Sequence, residues 1–277
     1  MKRKIAMAVC GLAASLASAS ANTLATHRAI YDLETSRLDS GSGYSSIDGR
    51  LAYELTGSVC DGWAVSYRIA NRYVQPEKGE QILDTQLTSW ESADGLEMNL
   101  SQKQFVDSNL DSEERLNVKR PKVNSEAQGV MTKPKDLAFT VSPETLFPST
   151  HQEHLLDVAL AGQTRDVSMV FDGSDGEKSY KAISFIGKKR APSTFAPDLA
   201  NPETLPLRAI ASWPMTISYY PAGDDSAEKP LYMASFNMYE NGVSTDLVLD
   251  YGSYALKGKL TKLDMLKSDE CKAKTAN

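Results

Sequence analysis

Residues that carry chemistry are scarce in this chain. It holds three histidines and three cysteines among 277 residues. It has no Gly-x-Ser-x-Gly turn, no His-Glu-x-x-His pair and no Cys-x-x-Cys motif. A nucleophile elbow, a zincin-type helix and a dithiol redox pair are therefore not written in it. An excess of positive charge is missing as well: 30 Lys+Arg stand against 36 Asp+Glu. Without a basic patch to displace counterions, a nucleic-acid partner is not indicated. Nor is there a polybasic stretch for anionic lipid surfaces. Beyond the first twenty-one residues, no apolar run approaches the roughly 20 residues that a membrane-spanning helix needs. Internal repeats of solenoid or propeller type are also absent.

What is present begins at the N-terminus. Lys2, Arg3 and Lys4 precede an apolar run from Ile5 to Leu16, and Ala17-Ser18-Ala19-Ser20-Ala21 supplies two overlapping Ala-x-Ala sites. This is the pattern of a secretory signal peptide, cut after Ala19 or Ala21. Val9 is not the small residue that lipidation would need before Cys10. The expected organisation is residues 1–21 as signal, 22–265 as one β domain and 266–277 as a C-terminal tail. Loss of Lys2, Arg3 and Lys4 leaves 27 basic against 36 acidic residues, a net of −9. Hydrophobic content of 41% fits a packed core.

Cleavage also removes Cys10, leaving Cys60 and Cys271. An even pair in an oxidising compartment reads first as a disulfide, here one that pins the tail to an early strand and closes a sheet with exposed edges. The loop-entropy relation gives such a bridge roughly 5 kcal/mol as an upper value. A redox-active pair is the alternative.

The body of the chain alternates with period two. Leu51, Tyr53 and Leu55, then Trp63, Val65, Tyr67 and Ile69, then Leu96, Met98 and Leu100 mark strands with one packed face. Val167, Met169 and Phe171, and later Leu247, Leu249 and Tyr251, extend the pattern. Asp61-Gly62, Asp94-Gly95, Asp172-Gly173, Asp175-Gly176 and Asn241-Gly242 provide tight turns, so the strands are expected to be antiparallel neighbours. One helix is expected over 150–161, capped by Ser149 with Gln152 completing a capping box and ended by Gly162. Residues 187–207, with four prolines, read as a long surface loop.

Candidate sites are few. His151 and His154 stand at i, i+3 on the helix, but a zinc site needs two further ligands. Phe171–Glu177 has calcium-like oxygen spacing without the glutamate at position twelve of an EF-hand, and the two Asp-Gly pairs explain it as a turn. No metal or cofactor is expected. Most strand aromatics belong to the core. Trp213, Tyr219, Tyr220 and Tyr239 are the candidates for lining a groove that takes a lipid, peptide or glycan.

An ordered set of fragments carries more. His27-Arg28-Ala29-x-Tyr31-Asp32-Leu33 is followed by Gly49-Arg50-x-x-Tyr53-Glu54-x-x-Gly57-x-x-Cys60-x-Gly62. Leu146-Phe147-Pro148-x-x-His151, Trp213-Pro214-x-x-Ile217-Ser218-Tyr219-Tyr220 and Tyr239-Glu240-Asn241-Gly242-Val243-Ser244 come later. The set resembles the EipB-type cell-envelope integrity proteins of alphaproteobacteria, from about His27 to Cys271. The resemblance implies a periplasmic, all-β protein: a long antiparallel sheet wound as a β-spiral or open barrel. It also implies a Cys60–Cys271 disulfide, a part in envelope integrity under stress, and no catalytic residues. Three functions stay in play. The first is a non-enzymatic envelope-supporting protein with a periplasmic partner. The second is a carrier sheltering a lipid or lipoprotein chain, and the third a hydrolase of envelope glycans or lipids.

Overall fold

The computed structural model describes residues 24–192, 202–224, 226–268 and 271. The signal segment and most of the C-terminal tail lie outside them. The alternation in the sequence appears as one 15-stranded sheet. Its first half is β1 (His27–Leu38), β2 (Ser46–Ser58), β3 (Gly62–Gln75), β4 (Gly79–Glu91), β5 (Glu97–Val106), β6 (Asn109–Lys119), β7 (Ala127–Lys133), β8 (Leu137–Val141) and β9 (Thr145–Leu146). Helix α1 (Pro148–Leu160) follows. The second half is β10 (Arg165–Val170), β11 (Tyr180–Ile186), β12 (Ser212–Pro221), β13 (Tyr232–Tyr239), β14 (Ser244–Asp250) and β15 (Tyr254–Met265).

The two halves are meanders joined by a pairing of the first strand with the last. Residues of β1 from His27 to Leu38 pair antiparallel with β15. The strand order therefore runs from β8 down to β1, across to β15, and down to β9. Its two ends, β8 and β9, are consecutive in sequence and separated only by Ser142–Glu144. The sheet thus curls back on itself and is nearly closed along one seam. Arg120, buried just after β6, latches that seam: its guanidinium donates to Pro143 O at 3.0 Å and Thr145 O at 2.8 Å. Beside it, β9 pairs parallel with β10 through the α1 crossover, a small exception to the antiparallel rule.

One face of the sheet points in and one out. Cross-strand ion pairs cover the outer face of the first strands: Arg28 with Glu54, Arg50 with Asp32, Arg72 with Asp48 and Glu80, and Arg68 with Asp84. Each exposed pair adds little stability, but together they keep that face solvated. Inside, three apolar clusters fill the wall, one around Trp63, Leu155 and Trp213, one around Tyr31, Leu256 and Leu260, and one around Met98, Val118 and Phe171. In β10 the faces are the reverse of those expected. Val167 is exposed while Asp166 and Val170 turn inward, because α1 packs on that face and His154 meets Asp166 at 2.9 Å.

Helix α1 lies in the interior. Its residues meet strands that stand far apart in the order. Glu153 accepts from the Trp63 indole of β3 at 2.9 Å, and Gln152 donates to Gly242 O beyond β13 at 2.8 Å. The helix starts two residues earlier than expected, with Pro148 in its first turn and extended Phe147 as the cap residue. Ser149 is therefore inside the first turn and is not the cap residue, and Phe147 makes no side-chain capping bond. Instead the Glu91 carboxylate, reaching in from β4, accepts from the Ser149 and Thr150 N–H groups at 2.8 and 3.3 Å. A carboxylate there satisfies orphan donors and faces the positive end of the helix dipole. The far end is as expected: Gly162 takes φ +73°, and Gln163 N–H and Gly162 N–H bond to Val158 O and Ala159 O, a Schellman motif.

The Pro-rich segment is less loop-like than expected. Residues 193–201 lie outside the description, but Pro202–Ala209 forms a 3-10 helix that buries Leu207 completely against the second cluster.

Candidate functional site: the interior cavity

The cavity is the space left between α1 and the strands. It has two lobes that share Gln152, Phe236 and Ser244. One lobe, of about 220 Å³, is walled by His27, Tyr31, Leu51, Tyr53 and Leu247. The other, of about 210 Å³, is walled by His151, Leu155, Val170, Asp172, Ile217 and Tyr219. Together they reach the roughly 300–1,000 Å³ typical of ligand pockets, with the usual apolar walls and few polar groups. A larger, more open groove of about 620 Å³ runs along Phe185, Arg190, Pro214 and Thr216. It shares Phe236 with both lobes, but His27, His151 and Asp172 are not among its walls.

Several polar groups of the lining are satisfied. Tyr31 donates its hydroxyl to Ser244 O at 2.8 Å, and His27 Nδ1 lies 2.7 Å from Ala25 O. Burial keeps the His27 pKa below the usual histidine value. Two groups are not. His151 is 4% exposed and its Nε2 has no hydrogen-bond partner. Burial lowers its pKa to about 4, so the ring is neutral at physiological pH. Asp172 accepts from the Ser174 N–H and hydroxyl at 2.9 and 2.8 Å. Among the described residues it has no ion pair, and burial raises its pKa.

Tyrosines gather around Asp172. Tyr219 and Tyr232 stack with centroids 4.3 Å apart, and Tyr180 stands edge-on to both at 6.3 Å. The pKa values of Tyr67, Tyr219 and Tyr232 are raised, first by burial and then, among other charges, by the Asp172 carboxylate.

Comparison with known proteins decides the family at this point. The EipB-like family profile matches residues 18–267. The chain belongs to the EipB-like family. It is 34% identical over 256 residues to the cell envelope integrity protein EipB of Brucella abortus (strain 2308), covering 92% of this chain and 89% of that protein. Its fold matches the crystal structure of a β-barrel-like protein of a domain of unknown function from Brucella abortus. The TM-score is 0.80 at 33% identity, over 88% of this chain and 99% of that one. The family assignment and the open-barrel architecture thus agree with the reading of the sequence.

The sequence candidates fall in different places. Tyr219 lines the cavity. Tyr220, of opposite parity on β12, turns to the other face. Trp213 and Tyr239 are packed in the wall, 2% and 5% exposed. Cys60 and Cys271 are bridged, with Cα atoms 5.6 Å apart and a sequence separation of 211. His27 pairs with Leu55 of β2 on one side and Met265 of β15 on the other, so those two strands end at the same rim. The bridge therefore pins that rim. It does not close the exposed edges, as the sequence reading expected, because those edges meet at the β8–β9 seam.

The histidine pair is split: His151 faces the cavity while His154 bonds to Asp166. Among the described residues no cluster of three or more metal-ligating side chains forms. Asp166 also accepts from the Ser168 hydroxyl at 2.6 Å, so serine, aspartate and histidine stand together. The serine donates to the aspartate and not to the histidine, an order that does not activate it as a nucleophile. A Ser-x-x-Lys spacing, Ser226 to Lys229, lies on the β12–β13 connection, where Ser226 donates to Asp224. Asp172, His151 and Gln152 were missed as cavity residues. Their only sequence signal was polar chemistry at positions where a turn or a helix surface already explained it.

Proposed function

We propose that this protein works in the periplasm as a disulfide-clasped, non-enzymatic β-spiral that supports cell-envelope integrity under stress. The observation that carries the reading is the Cys60–Cys271 bridge, joining residues near opposite ends of a chain that opens with an export pattern. Such a bond persists in oxidising compartments. Residues 22–265 act as one folded unit, and residues 266–277 as a tail tethered at Cys271. Fractionation and N-terminal sequencing test the location. The periplasmic fraction should yield a chain beginning at Ser20 or Asn22. A chain beginning at Met1, retained in the cytoplasm, overturns it. Deletion of the protein should sensitise cells to detergent and cell-wall stress.

A carrier role is the second reading, favoured by one observation: the sheet encloses a cavity with apolar walls and an unsatisfied imidazole nitrogen, His151 Nε2. On this reading the protein shelters an acyl chain of an envelope lipid or lipoprotein.

A further inference from the structure

The interior is unbalanced in charge. The arginines of the first four strands pair with carboxylates on the outer face. The titratable groups turned inward include Glu91, Glu114, Glu153, Asp166 and Asp172, with His27 and His151 held toward the neutral form. Glu91 is matched to helix N–H groups, Glu153 to an indole and Asp166 to His154. Asp172 accepts from Ser174 within its own turn and has no ion pair among the described residues. It stands in the cavity wall beside Tyr219, whose ring stacks with Tyr232. A desolvated carboxylate among phenol rings is the chemistry that recognises an ammonium ion, through charge and the negative faces of the rings. From that point the cavity runs past Phe236 into the lobe walled by Leu51 and Leu247.

We propose that this cavity binds an amphiphile with an ammonium head. The head sits between Asp172 and the Tyr219–Tyr232 pair, and the alkyl chain lies along Phe236 toward Leu51 and Leu247. The unpartnered Nε2 of His151, in the same lobe as Asp172, meets a polar group next to the head. This rests on the carrier reading and names its ligand class.

The test uses the mature, disulfide-bonded protein and single-chain probes below their micelle concentrations, followed by calorimetry. Dodecyltrimethylammonium should bind at least tenfold more tightly than dodecyl sulfate or dodecyl maltoside. Asp172→Asn should cost the cationic probe about tenfold and leave the other two unchanged. Tyr219→Leu, which keeps bulk and removes the ring face, should weaken the cationic probe alone. An unchanged melting temperature shows that each variant is folded. Equal binding of all three probes, insensitive to Asp172→Asn, overturns the ammonium inference and leaves the carrier reading standing. Tetramethylammonium binding as tightly as the dodecyl compound makes this a small-ion site and overturns the amphiphile. Failure of every dodecyl probe to bind removes the carrier reading and the inference with it.

Discussion

Glu91 offers a quantitative test of how α1 is held inside the barrel. Its side chain is 1% exposed, and burial raises its pKa from 4.5 to about 7 despite the helix N–H groups it accepts from. A carboxylic acid with a raised folded pKa binds its proton more tightly in the native state than in the unfolded one. The stability it contributes is full below about pH 4.5 and is lost as pH rises through about 7. A shift of one unit corresponds to about 1.4 kcal/mol, so the change across this window is about 3 kcal/mol. For a domain of this size, that is about 6–12 °C in melting temperature. Glu91→Gln keeps an acceptor for the Ser149 N–H and removes the ionisation. Thermal melts of wild type and variant between pH 4.5 and 8, with the disulfide intact, should diverge: wild type loses stability relative to the variant as pH rises. Glu91→Ala should be destabilised at every pH, because two helix donors lose their acceptor, each orphaned group costing about 1–3 kcal/mol. If wild type and Glu91→Gln track each other over the whole range, the carboxylate is not the buried, proton-binding cap described.

Cys271→Ser should lower stability by about 2–5 kcal/mol and reduce survival under detergent stress, while free-thiol labelling of the denatured, unreduced wild type stays near zero. Arg120→Met should be destabilising, because two backbone carbonyls lose their donor at about 1–3 kcal/mol each, and hydrogen exchange should quicken first in β8 and β9; protection lost uniformly would argue against a seam latch. The His151 ring should remain neutral down to about pH 5 in a proton-NMR titration, since its pKa is about 4; a midpoint above 6 would place it in solvent. Gly242→Val should be poorly tolerated, because Gly242 has φ +84° and a Cβ there would come within 2.6 Å of Leu24; a wild-type melting temperature for this variant would contradict the turn geometry.

Local signals in the sequence carried most of the wall. The alternation of Trp63, Val65, Tyr67 and Ile69 is a straightforward packed face, and Gly62, Gly95 and Gly242 all adopt the positive φ that their Asp or Asn neighbours suggest. What failed was decided by tertiary contact. Ser149 and Gln152 had the spacing of a capping box, but Glu91, distant in sequence, supplies the cap. Val167 had the parity of a core residue, but α1 lies on the other face of β10. Leu207 sat among prolines in an apparent loop, yet its side chain fills a gap in the core. The pairing of β1 with β15, which makes a barrel out of two meanders, joins residues more than two hundred positions apart and leaves no local trace. The cavity was illegible for the same reason: Asp172, His151 and Leu247 come from three elements that only closure brings together.

Closure by so many strands has a geometric consequence. A barrel of about eight strands is just filled by its own side chains, and one of about sixteen leaves a water-filled lumen. A 15-stranded sheet that nearly closes encloses more space than its inward residues can occupy. This protein spends chain on that space. Helix α1 crosses the interior, and the loop after β10 turns into it, with Gly173 against Leu100 and Leu116 and Gly176 against Met131. Both insertions bring polar groups: the helix brings Gln152 and His151, and the loop brings Asp172. The remaining volume is what lies between them. Had packing alone been the end, apolar side chains at these positions would fill it without leaving a buried imidazole nitrogen unpaired. Such orphaned groups cost stability in a dry core, and they are at home where a ligand completes them. Of the buried polar atoms left without a partner among the described residues, His151 Nε2 is the one that bounds the cavity, and that placement is what a binding interior requires.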